Sequence, residues 1–328
     1  MSRRQRPSRE GDSLGGMCYS AQIQADYKKL VRHYGAVMDL EAFARLWLRE
    51  NGSNAARPKT PKALEDAFAE WGSDAEHRVW KAIKAWQGDD VLALEQELFT
   101  QKSRLNNAER SLQVKVTKKA ENDVRIAGNK IERATQKLAD LRRTEHLPRD
   151  SRIFPGMYAP VIVSEGGRRV IKPMRYQCRP EGKPAFYDTK YPGTYNARRD
   201  SLEGFWREVF GYRHAILVVD TFYENVEGPD GKNQVIQFTP RDRQPMLVAC
   251  LWSAWTDPKG QDPDLLSFAA ITDEPEPEVA AAGHDRTIIN IKPEHIDAWL
   301  NPEPGNLVAL YAIFDDKQHP FYEHRLAA

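Results

Sequence analysis

From Val91 to His146 the chain contains no proline. Apolar or small residues recur there at Leu94, Leu98, Leu105, Ala108 and Leu112, then at Val124, Ala127, Ile131, Ala134, Leu138 and Leu141. Alternating steps of three and four put these side chains on one helical stripe. The two halves do not share one heptad register, so the spacing predicts a coiled coil or helical hairpin whose phase breaks within Val114–Asp123. Residues 101–150 hold 13 Lys and Arg against 7 Asp and Glu. That local excess suits either a solvated helical face or a nucleic-acid contact surface, and self-association through the 91–146 helices is a further expectation.

After Pro148 the texture changes. Short β-branched and aromatic runs separated by Gly and Pro (APVIVS, RRVIKPM, HAILVVDTFYE, NQVIQF, QPMLVACLWSAW, LSFAAIT, RTIINI) read as strands. Trp252 and Trp255 sit on one such run as expected core residues. SLEGFWREVF (201–210) and PEHIDAWL (293–300) read as short helices, the second with Pro293 at its start. From Ala21 to about Trp86 the text is helical, with Leu40, Phe43, Leu46 and Trp47 on one stripe and a break at Pro58 and Pro61. The fold class is therefore α+β: a β-rich domain carrying an inserted helical segment. The expected division is a basic disordered leader or non-native extension at 1–16, a main domain of 17–20 plus 148–328, and a helical insertion at 21–147.

Across 328 residues, 48 Lys and Arg nearly cancel 47 Asp and Glu, so net charge points to no partner. No run reaches the roughly 18 apolar residues of a membrane span, and the Arg-rich start lacks the apolar core of a secretory signal. The three cysteines, Cys18, Cys178 and Cys250, form no CxxC pair. That spacing supports neither a disulfide framework nor a zinc ribbon, and a reducing cytoplasm fits. No cluster has metal-ligand spacing and no Gly-rich phosphate loop is present, so neither metal, cofactor nor nucleotide is expected.

Cys18 follows an internal methionine, in GGMCYS. Initiation at Met17 and loss of that methionine would expose an N-terminal cysteine, with an α-amine near pKa 7.7–8.0 and a thiol near 8.5 on one residue. An amine and a thiol so placed convert an aldehyde first to a Schiff base and then to a thiazolidine. If residues 1–16 are retained, the nitrogen is an amide and neither step is open. Initiation at Met17 needs no further chemistry; removal of the leader is the other route.

Three stretches occur in order downstream: YNARRDS (195–201), HAILVVDTFYENV (214–226) and GHDRTIINIKPEHIDAWLNP (283–302). With Met17-Cys18, and with FPGMYAPVIV (154–163), MRYQCRP (174–180) and LVACLWSAW (247–255) in support, the sequence resembles the SRAP family of SOS-response-associated peptidases, or abasic-site-processing proteins. That resemblance spans roughly residues 148–302 plus Cys18. It implies a compact, open-barrel β fold that binds single-stranded DNA containing abasic sites and forms a covalent thiazolidine crosslink, with lyase and autoproteolytic activity beside it. The corresponding location is the cytoplasm, at the nucleoid when bound to DNA.

Carried over residue by residue, Cys18 matches the nucleophile, and Asn196 the amide that orients the amine or the sugar. Glu224 matches the proton-moving carboxyl, and His284 the histidine assisting Schiff-base chemistry. Arg198 and Arg286 match phosphate-binding arginines. Tyr176 stands where the family usually has tryptophan, and either stacks on a base or packs internally. The departures are Tyr19 and Ser20 after Cys18, where the family continues Gly-Arg, Asp200 near the glutamate of Asn-Ala-Arg-x-Glu, Asn225 for tryptophan, and Thr287-Ile288 for Met-Pro. Two alternatives stay open: a non-catalytic DNA-binding or assembly protein using the helical insertion, and a cysteine peptidase built on Cys18, His284 and Glu224.

Overall fold

The computed structural model describes residues 20–48, 57–70, 72–260 and 262–327. Met17 and Cys18 lie outside these residues. The chain divides into two compact units, one built from Ser151–Ala328 with the chain up to Asp39 and Lys59–Pro61, the other from Leu40–Pro58 and Lys62–Asp150. Among the described residues no helix is long and apolar enough to cross a membrane.

The helical unit contains α2 (Leu40–Trp47), α3 (Lys62–Asp66), α4 (Asp74–Val114) and α5 (Lys118–Arg142); α1 (Tyr27–Tyr34) belongs to the other unit. Ser73 caps α4 by accepting from the Glu76 amide at 3.2 Å, while the Glu76 carboxylate reaches back to the Gly72 amide at 2.9 Å. The predicted phase break falls at Lys115–Thr117, where Thr117 accepts from the Ala120 amide and starts α5 afresh. α4 and α5 form a hairpin that buries Ala108, Ala120, Ala127, Ala134 and Leu138. Lys130–Glu97 (3.1 Å) and Arg104–Asp123 (2.5 Å) join the two helices, pairing positions in antiparallel order. The small alanines let the helices approach closely.

The second unit is a twelve-stranded sheet whose spine is β7 (His214–Glu227). Around it in chain order lie β1 (Ser20–Ile23), β2 (Val37–Met38), β3 (Arg152–Ile153), β4 (Tyr158–Glu165), β5 (Arg168–Tyr176) and β6 (Asn196–Arg198). After β7 come β8 (Asn233–Pro240), β9 (Met246–Trp255), β10 (Leu265–Asp273), β11 (Thr287–Ile288) and β12 (Tyr322–Leu326). The first half of β7 pairs with β9, β9 with β10, and β10 runs parallel to β5. β5 pairs with β4, which returns to β7 at Ile162↔Ile216. This ring of pairings gives a barrel-like sheet, and inside it β7 from His214 to Val219 is buried on both faces. Beyond the ring, the second half of β7 carries β1 on one edge (Ser20↔Tyr223) and β8 on the other (Phe222↔Phe238).

Two local expectations change. Ala21 begins no helix: Ser20–Ile23 is a strand, too short for helical or strand periodicity to declare itself, and its place is set by long-range pairing to β7 and β3. SLEGFWREVF resolves into successive turns, with the Trp206 amide bonded to the Ser201 carbonyl across Gly204, instead of a helix. PEHIDAWL is helical, as one 3-10 turn from Pro293 leading into α8 (Ile296–Leu300), with α6 (Tyr187–Lys190) and α7 (Pro277–Ala281) preceding it and α9 (Leu307–Asp315) following.

Candidate functional site

The end of β10 gathers two of the three sequence motifs. β6 runs parallel to it, Asn196 opposite Ala270 and Arg198 opposite Thr272, while β11 runs antiparallel with Thr287 opposite Asp273. The Asn-Ala-Arg segment and the segment that follows His-Asp-Arg therefore share one strand as a template. α7, started by Pro277, delivers the chain into a turn at Gly283 (φ +92°), the conformation glycine tolerates best, directly before His284.

The third motif meets them through a long-range contact. Glu224, on the outer half of β7, and His284 are both buried, with side chains 0% and 1% exposed, and Glu224 Oε2 lies 3.1 Å from His284 Nε2. The other imidazole nitrogen, Nδ1, is 2.9 Å from the Arg286 carbonyl oxygen and 3.3 Å from the Arg286 amide. The two atoms stand at ion-pair distance, and no aligned hydrogen bond links them to each other. Burying an ionisable pair where aliphatic side chains could pack costs several kcal/mol of desolvation per ion, and such a pair suits proton transfer away from bulk water.

Asn196 is buried and lies 3.5 Å from the Tyr176 hydroxyl through Oδ1. Tyr176 is itself buried, its ring stacked on Phe268 (5.3 Å, 24°) and edge-on to Tyr195 (5.6 Å, 70°). One face of the Tyr176 ring is thus covered by Phe268. Arg198 is 51% exposed and meets Asp200 at 2.9 Å. The shortened carboxylate at 200 thus holds one arginine. Its neighbour Arg199 is fixed by Asp273 (3.0 Å) and Asp315 (2.5 Å) instead. Arg286 is mostly covered and lies 3.1 Å from Asp285. Thr287, a departure from the family pattern, uses its hydroxyl to accept from the Glu276 amide at the start of α7, which ties the histidine turn down.

One residue near this site escaped the sequence reading. Arg152 of β3 donates to the Ser20 hydroxyl from Nε (3.0 Å) and Nη2 (2.9 Å), and its guanidinium lies 3.6 Å from the Tyr223 ring centroid. Ser20 thereby becomes a fixed point beside Tyr223, the residue before Glu224. Nothing local to Arg152 signals this, because its partner is far away in sequence. Trp255 is core, with its indole N–H bonded to the Lys183 carbonyl, whereas Trp252 is half-buried under the Arg213 guanidinium. Cys178 and Cys250 are buried; burial pushes the Cys178 thiol up to about 12 and raises the Cys250 thiol as well, so neither offers a thiolate at neutral pH.

Comparison with solved structures finds low-identity similarity over about half of this chain. A Bordetella bronchiseptica protein is 19% identical, with a TM-score of 0.44 over 56% of this chain and 90% of its own. A Bacteroides thetaiotaomicron protein is 14% identical, with a TM-score of 0.45 over 54% and 77%. A phage-related protein from Bordetella bronchiseptica is 20% identical, with a TM-score of 0.39 over 54% and 80%. No curated protein matches the chain. Residues 116–324 match the family model of the SOS response associated peptidase, SRAP. With that match covering most of the chain, the protein belongs to the SRAP family.

Proposed function

We propose that this protein captures abasic sites in single-stranded DNA through Cys18, exposed as the N-terminal residue. The observation carrying this reading is the buried Glu224–His284 pair, whose glutamate lies on β7, the strand that pairs with β1 at Ser20↔Tyr223. Ser20, two residues after Cys18 in the sequence, pairs with Tyr223, the residue before Glu224. The other two cysteines are buried and protonated, which leaves Cys18 as the chain's candidate sulfur nucleophile.

In the proposed reaction the closed deoxyribose opens to its aldehyde, and the Cys18 amine adds to C1′. Loss of water gives an imine; the Cys18 sulfur then adds to the imine carbon and its thiol proton passes to the nitrogen, closing the thiazolidine. One water leaves overall. Glu224 and His284 supply and accept the protons of ring opening and dehydration, and Asn196 orients the amine or the sugar by hydrogen bonding. Arg198 and Arg286 bind phosphates on the strand. The same Cys, Glu and His would remove residues ahead of Cys18 where those are translated, and reversal or lyase chemistry would run through the same imine.

The test is incubation with a labelled single-stranded oligonucleotide carrying one abasic site, followed by denaturing electrophoresis. A heat-stable shifted band that disappears in Cys18→Ala and on reduction of the abasic aldehyde supports the reading. A band that survives Cys18→Ala overturns it.

A further inference from the structure

The segment between β5 and β6, which leads directly into Asn196, holds aromatic rings at the surface on an anchored backbone. Phe186 is 62% and Tyr191 42% exposed. The Tyr187 and Tyr191 rings lie 4.3 Å apart at 40°, and Lys190 Nζ sits 5.3 Å from the Tyr191 ring centroid. Exposed rings on a slack loop would be unremarked, but this backbone is fixed at several points. Asp188 is gripped by Arg175 (2.7 Å) and Arg179 (2.5 Å), which holds its carboxyl below the usual range. The Gln177 side chain donates from Nε2 to the Asp188 carbonyl, the Trp255 indole N–H to the Lys183 carbonyl, and the Cys178 backbone amide to the Thr194 carbonyl.

Charge and geometry select the occupant. Both acidic side chains of the segment are engaged, Asp188 by the two arginines and Glu181 by Arg213 at 3.0 Å, so the outward charges beside the rings are Lys183 and Lys190. Pre-ordered aromatic faces beside ammonium groups match a polyanion with free π-faces, and unpaired bases of a single strand offer both. A duplex hides its base faces. We infer that Phe186 and Tyr191 form a stacking platform for bases of single-stranded DNA flanking the residue held at Asn196. This rests on the single-stranded DNA reading above and adds a binding surface to it.

The test measures binding of a fluorescein-labelled, undamaged single strand by anisotropy for the full chain and for Phe186→Ala/Tyr191→Ala. Each lost stack weakens affinity about 5- to 150-fold. On abasic DNA the double variant needs a higher concentration for half-maximal capture, with the rate at saturation unchanged. Phe186→Trp keeps its affinity, and its added indole fluorescence is quenched as the strand binds. Lys190→Ala lowers the slope of log affinity against log salt by about 0.7. Affinity of the double variant within twofold of the parent, or an unquenched Phe186→Trp, overturns the platform while leaving capture by Cys18 standing. A parent protein with no affinity for single strands overturns both.

Discussion

Replacing Glu224 by Gln isolates proton transfer from packing. The amide keeps the volume of the carboxylate and can still meet His284 Nε2 across the 3.1 Å contact, but it carries no exchangeable proton for the sugar or the imine. The substitution keeps the side-chain volume and breaks no aligned hydrogen bond between Glu224 Oε2 and His284 Nε2, so its stability cost falls at the low end of the about 0.5–3 kcal/mol typical of single substitutions. For a chain of this size that is a drop of at most a few degrees in Tm. Capture should suffer far more. Removing a positioned acid or base slows a reaction about 10²- to 10⁴-fold, equal to about 3–5 kcal/mol of barrier. Single-turnover crosslinking at saturating abasic DNA, quenched and resolved on denaturing gels, measures this directly. His284→Gln should fall in the same range, and because the two side chains act as one unit, the double variant should be little slower than the slower single one. Glu224→Gln within threefold of the parent rate, or effects that multiply in the double variant, would refute the pair as the proton-transferring unit.

Further outcomes separate structural from functional residues. Arg198→Ala should leave Tm unchanged and reduce the salt slope of single-strand binding by about 0.7, because an exposed phosphate contact is lost. Arg199→Ala should do the reverse, lowering Tm with the salt slope intact, since it breaks the bridges to Asp273 and Asp315. Arg152→Ala should slow capture at saturating DNA while single-strand affinity holds, because it frees Ser20 from its anchor beside Tyr223. His214 stacks on Trp299 at 3.9 Å, donates from Nδ1 to the Trp299 carbonyl and accepts the Gly211 amide on Nε2; burial lowers its pKa to about 4. The unfolded histidine, near 6.5, binds a proton first as pH falls, so the stabilisation is whole above pH 6.5 and is lost towards pH 4. Urea titrations should show about 2 kcal/mol lost between pH 7 and 5 from this group, and His214→Gln should lose that share of the pH dependence.

What the sequence made legible was periodic or contiguous. The stripe over residues 91–146 announced the α4–α5 hairpin, and its register change located the break that the Thr117 cap produces. Strand runs after Pro148 announced the β-rich body. Barrel closure was not legible, since it depends on a parallel β5–β10 pairing and on Ile162↔Ile216, neither of which leaves a local pattern. Glu224 and His284 could be named from motifs, yet their contact is set by the whole sheet and the α7 turn. Tyr176 shows the limit from the other side: a tyrosine in the place of a tryptophan reads equally as platform or core, and its packing against Phe268 is a long-range contact that no local pattern carries. Phe186 and Tyr191 fell outside every motif, and their exposure is a property of the anchored loop rather than of any residue in it.

Intact-mass measurement of the protein expressed from its native gene, before and after incubation with a single-stranded oligonucleotide bearing one abasic site, tests the central claim most directly. The account predicts a chain beginning at Cys18 and an adduct heavier by the oligonucleotide less one water. A chain that retains the residues before Cys18 and yet forms the adduct, or one that begins at Cys18 and forms none, would contradict it.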